Sequence, residues 1–80
     1  MRLSQLANNQ TAIITKVLAV TENTTDMISQ RLSQLGFEQG EPVQVLGRGL
    51  FGGEPILVKI GHSRFALRRA EANRIEVMTQ

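Results

Sequence analysis

The chain reads as mainly β: a small barrel of about five strands, with a short helix in the first long connection. Three observations predict this. Large apolar residues recur at every second position over 43–45, 56–60, 64–68 and 74–77, with Leu57, Ala66 and charged or polar residues between them, the period of a half-buried strand. Turn chemistry rich in glycine separates those runs, with glycine concentrated between residues 40 and 61. The helical period is brief: Ile28, Leu32 and Leu35 fall at i, i+4 and i+7, on one face.

The elements follow in order. Leu3-Ser4-Gln5-Leu6 is short and closes at Asn8-Asn9, a turn signal. Residues 11–20 carry the β-branched Ile13, Ile14, Thr15, Val17 and Val20 and read as a strand, with its buried face ambiguous. Glu22-Asn23-Thr24-Thr25 supplies N-cap candidates, and Asp26 in the first helical turn complements the helix dipole. Gly36 stands at the position after the helix where left-handed dihedrals are expected, which places Phe37 to pack back on Leu32. Val43 and Val45 then alternate with Gln44. A loop is expected from Gly47 to Pro55, and Gly61-His62-Ser63 is short enough for a tight hairpin. Phe65 and Leu67 point inward, with Arg68 outward and solvated. Ala70-Glu71-Ala72-Asn73 suits a 3₁₀ turn before a last strand containing Ile75 and Val77.

Eighty residues make one expected domain, 1–80, and without cysteine it holds together by packing alone. Absence of cysteine also removes disulfides and thiolate zinc sites, and suits a reducing cytoplasm. No apolar run approaches the roughly 20 residues of a membrane span, and the N-terminus lacks a signal-peptide core. A soluble, unprocessed chain is therefore expected. The net charge of +2 arises in the second half, where Arg48, Lys59, Arg64, Arg68, Arg69 and Arg74 face four glutamates. That bias is mild for nucleic-acid binding and fits an acidic protein partner equally well.

Catalytic groupings are missing. His62 has no metal-ligating company at suitable spacing, and Glu71 with Glu76 reads as a surface pair. Gly47-Arg48-Gly49-Leu50-Phe51-Gly52 matches G-x-G-x-x-G by letter. A dinucleotide fingerprint needs a helix after it, and here Pro55 and a strand follow. No enzyme is expected. There is no Trp or Tyr, and the three Phe residues have core-like spacing. Neither a nucleobase-stacking platform nor a proline-peptide groove can be built from them alone.

In this order, Arg31-Leu32, Leu35-Gly36-Phe37, Gly40, Val43, Val45, Gly52-Gly53-Glu54-Pro55-Ile56, Ala66-Leu67-Arg68-Arg69, Glu71-Ala72 and Ile75-Glu76-Val77 resemble the FeoA family. These are small SH3-like proteins of bacterial ferrous-iron uptake. The resemblance covers nearly the whole chain, although Asn8-Asn9 replace the family's usual Pro-Gly turn. It implies an SH3-like barrel, a cytoplasmic location, and a partner, the FeoB membrane permease with its GTPase domain. It also leaves room for a homo-oligomer, and for iron or another divalent metal, for which the sequence shows no ligand set. A stand-alone nucleic-acid-binding barrel is the alternative function.

Leu32, Leu35, Gly36, Phe37 and Gly40 are expected to be structural. Leu50, Phe51, Arg68 and Arg69 are the candidate partner-binding residues. Leu50 and Phe51 either plug the open end of the barrel or anchor a partner, and the scarcity of large side chains favours the plug. Arg69 is expected to pair with Glu71 or Glu76. Arg68 belongs either to a surface ion pair or to a contact with an acidic partner.

Overall fold

The structure is a computed structural model that describes residues 1–18 and 27–79, and of Phe51 the backbone alone. Five antiparallel strands run Thr11–Val17 (β1), Pro42–Phe51 (β2), Glu54–Ile60 (β3), Ser63–Leu67 (β4) and Ile75–Thr79 (β5). Two helices accompany them, Met27–Gln34 (α1) and Arg69–Ala72 (α2), with a 3₁₀ turn at Leu3–Gln5. The strands form one curled sheet in the order β4-β3-β2-β1-β5, so the small barrel is left open between β4 and β5.

Alternation along the strands drives the packing. Val43 and Val45 of β2, Ile56 and Val58 of β3, Leu67 of β4 and Ile75 of β5 point into one core with Leu32 and Phe37. Leu3 and Leu6 close that core from the N-terminal turn. The ambiguity of β1 has a physical cause. Its pairing with β5 shifts register between Ile14 and Lys16, and Thr15 donates its hydroxyl to the Glu76 carbonyl at 3.0 Å. Ala12 and Ile14 face inward before this bulge, while Val17 packs on the core after it. The strand ends at Val17, short of the expected residue 20. Val20, the cap candidates from Glu22 to Thr25, and Asp26 lie outside the described residues.

The helix exit behaves as its sequence directs. Gly36 has φ +107°, its N–H donates to the Ser33 carbonyl at 3.1 Å, and that of Phe37 donates to Leu32 at 3.0 Å. This is the paired bonding of a Schellman motif, in which glycine avoids the Cβ penalty. Phe37 is thereby buried, its ring 5.7 Å from that of Phe65.

Two expectations are corrected. Residues 47–55 are not a loop: β2 continues to Phe51, and the turn is only Gly52-Gly53, with φ +64° and +84°. Positive φ at both positions is a type I′ turn, whose twist matches the flanking strands. Gly47 and Gly49 sit where the β2–β3 register shifts. A Cβ on Gly49 would lie 2.7 Å from Pro55 Cδ and closer still to the Glu54 carbonyl, so this glycine serves a close backbone approach. The turn before β5 is also not 3₁₀. Arg69–Ala72 is a single α turn, with the Arg68 N–H donating to Glu71 Oε1 at 2.9 Å.

A candidate protein-contact surface

The β2–β3 hairpin is the most distinctive exposed feature. Its two register shifts and glycine turn fix its path, and Leu50 stands near the tip with 98% of its surface exposed. Leu50 is therefore not a plug, which corrects the favoured reading. The long, bulged strand carries it away from the core. The side chain of Phe51 lies outside the described residues.

Arg69 joins this hairpin across the fold. Its N–H donates to Glu54 Oε1 at 2.7 Å, and its Nη2 donates to the Gly52 carbonyl. The expected pairing with Glu71 or Glu76 is thus corrected. Glu71 instead takes the Arg31 guanidinium and the Arg68 N–H, while Glu76 accepts from Thr15 through its carbonyl. The reason is local: the α turn starts at Arg69 and swings its side chain toward β3, away from β5. So Leu50, Arg69 and the Phe51 backbone converge on one hairpin. Arg68 flanks it, exposed as expected, and its side chain makes no bond among the described residues.

Arg48 is the residue sequence reasoning missed. It donates from Nη2 to the carbonyls of Ser4 and Leu6, both at 2.7 Å, and from Nη1 to Asn8 Oδ1 at 3.2 Å. It lies opposite Ile56, whose side chain is buried, so it reaches inward over the rim and ties the N-terminal turn to β2. The signal was weak: an arginine between two glycines reads as a loop residue until the bulges are known. The helix-exit residues stay structural. Leu32 and Phe37 are buried and Leu35 packs at the core edge. Gly40, with φ +91°, donates to the Ile14 carbonyl at 2.7 Å.

His62 is exposed in the two-residue β3–β4 turn. Among the described residues no three of His, Cys, Asp and Glu gather so as to hold a metal ion. The G-x-G-x-x-G stretch is strand and hairpin, with no helix after it to receive a phosphate. Among the described residues, no helix is long and apolar enough to cross a membrane.

Comparison with known proteins agrees with this architecture. The FeoA domain profile matches residues 1–79. The structure of Stenotrophomonas maltophilia FeoA complexed with zinc is 44% identical, with a TM-score of 0.86 over 98% of this chain and 89% of that one. That protein is described as a unique prokaryotic SH3 domain protein and a candidate ferrous iron transport activating factor. FeoA from Chlorobium tepidum is 33% identical, with a TM-score of 0.81 over 99% of this chain and 70% of that one. A manganese-dependent transcriptional repressor is 19% identical, with a TM-score of 0.77 over all of this chain and 41% of that one, a likeness of fold alone. A comparison with curated proteins found no match. The match over residues 1–79, the shared SH3-like fold and the 44% identity to a relative spanned almost end to end show that the chain belongs to the FeoA family of ferrous-iron transport proteins.

Proposed function

We propose that this chain is a cytoplasmic accessory factor of ferrous-iron uptake that works by contact with the cytoplasmic part of the FeoB GTPase-permease, without chemistry of its own. The observation that carries the reading is Leu50, an apolar side chain held almost fully exposed on a hairpin pinned by Arg69. An anchor fixed in advance loses little conformational freedom on binding, so its apolar contact appears as affinity. Leu50→Ser should leave stability within about 0.5 kcal/mol of the parent, as expected for an exposed position. It should weaken capture by the purified cytoplasmic GTPase domain about tenfold, the effect of a loss of about 1.4 kcal/mol. Unchanged capture would refute the anchor, and no capture of the parent would refute the partner. The nucleic-acid alternative has less support. Phe37 is buried and the partly buried Phe65 packs against it, so neither stands as a freely exposed stacking platform.

A further inference from the structure

The outer face of β3 and β4 breaks a rule of sheet pairing. Lys59 stands directly opposite Arg64. Both are exposed, and neither has an ion pair among the described residues. Like charges directly opposed across a sheet are destabilising. The two-residue turn at Gly61-His62 makes Ile60 and Ser63 a hydrogen-bonded pair. Lys59 and Arg64 therefore occupy the next, non-hydrogen-bonded site, where the side chains stand closer. Glu41 lines a groove that Lys59 also borders, but no described carboxylate forms an ion pair with Lys59 or Arg64.

Beside the basic pair runs an apolar row. Gly47, Leu57 and Ala66 lie abreast across three strands, with Leu57 39% exposed, and they help to line an open groove of about 330 Å³. β4 is the last strand of the sheet. The same alternation turns the N–H and C=O of Arg64 and Ala66 away from β3, and no described residue bonds to them. An unpaired edge beside an apolar floor is a template for an added strand.

We infer that the β4 edge docks an extended acidic segment of a partner protein. The segment adds as a strand beside β4 and bonds to the backbone of Arg64 and Ala66. Side chains two apart on a strand share a face. A carboxylate opposite Arg64 thus meets the Lys59–Arg64 pair, while an apolar side chain two positions along covers Ala66 and reaches Leu57. The recognised pattern is acid-x-apolar. A second copy of this chain fits poorly, because pairing β4 with its own copy would bring two sets of Lys59 and Arg64 together. The inference rests on the reading that the chain works by protein contact, and adds where that contact is made and with what chemistry.

The test uses the full ¹⁵N-labelled chain and a blocked peptide with glutamate and valine two positions apart (Glu-Thr-Val-Thr-Glu-Thr-Val), with the same peptide carrying lysine in place of glutamate as control. The acidic peptide should shift the amide signals of β4 and Leu57. At about twice the titrated Kd it should slow amide exchange at Arg64 and Ala66 about threefold, following 1 + [L]/Kd. Raising the salt from about 0.05 to 0.5 M should weaken the binding. The lysine peptide should have no effect on the parent, and Lys59→Glu with Arg64→Glu should exchange the two preferences. The proposal is overturned if no shift appears up to about 5 mM peptide, a Kd too weak to matter. It is equally overturned if Arg64 and Ala66 exchange is unchanged, if the lysine peptide binds the parent as well, or if the shifts centre on Leu50. The transporter plays no part in this experiment, so failure to capture its GTPase domain and failure here are separate results.

Discussion

Arg48→Met removes a guanidinium while keeping most of the aliphatic stem, so it isolates the tie between β2 and the N-terminal turn. Two of its bonds, to the Ser4 and Leu6 carbonyls at 2.7 Å, are partly buried, and the third, to Asn8 at 3.2 Å, is exposed. A bond involving a charged group contributes about 1.5–3 kcal/mol. Partial exposure lowers each of the two short ones to about 1–2 kcal/mol, and the exposed contact adds little. The expected loss is about 2–4 kcal/mol. An 80-residue domain has roughly 4–12 kcal/mol in total, so the effect is large. At about 5 °C per kcal/mol for a domain of this size, Tm should fall by roughly 10–20 °C. Urea unfolding followed by circular dichroism measures the loss directly. Arg48→Lys should fall between, because an ammonium keeps the charge but lacks the fork that reaches both carbonyls. A loss below about 0.5 kcal/mol for Arg48→Met would refute the reasoning, because water would then serve those carbonyls equally well.

The remaining predictions concern backbone and charge. Gly49→Ala places a methyl group against the Glu54 carbonyl and Pro55 Cδ, and should cost about 1–3 kcal/mol in chemical denaturation. A neutral result would show that the hairpin relaxes freely. Gly36→Val has open space around its Cβ, so its cost is the dihedral alone: about 1–2 kcal/mol, read from a melting curve that should shift downward. Arg68→Glu alters an exposed side chain with no bond among the described residues, and should leave stability within about 0.5 kcal/mol. If Arg68 meets an acidic partner, the same variant should lower transporter-dependent iron uptake, and normal uptake would remove Arg68 from the contact.

The parts of the fold legible in the sequence are those set by local chemistry. Ile28, Leu32 and Leu35 mark a helix face, Gly36 stops the helix, and Phe37 is aimed at the core, all within a few bonds of one another. The alternation at Ile56, Val58 and Ile60 likewise needed no tertiary knowledge. What was misread depends on pairing across the sheet. Glycine at 47 and 49 signals a turn in isolation, yet the pairing with β3 makes both of them bulge positions. That pairing sets the length of β2, carries Leu50 to an exposed tip where a plug is expected, and turns Arg48 toward the N-terminal turn. The partners of Arg69 are hidden for a related reason, since nothing nearby in sequence shows that Glu54 and Gly52 come within its reach.

The pairing of β1 with β5 bears on the order in which the molecule assembles. β2, β3 and β4 are joined by two-residue turns, so their contacts form between near neighbours in the chain. β1 and β5, by contrast, bring Ala12 against Thr79 and Val17 against Ile75, while the Val77 N–H reaches the Met1 carbonyl at 2.7 Å. Closing so long a loop costs entropy before any contact offsets it, and non-local pairing slows folding. The three-strand meander is therefore expected to form early, with the β1–β5 seam as the late, rate-setting step. A substitution in that seam should slow folding only if the seam is already made in the transition state; otherwise it should chiefly speed unfolding.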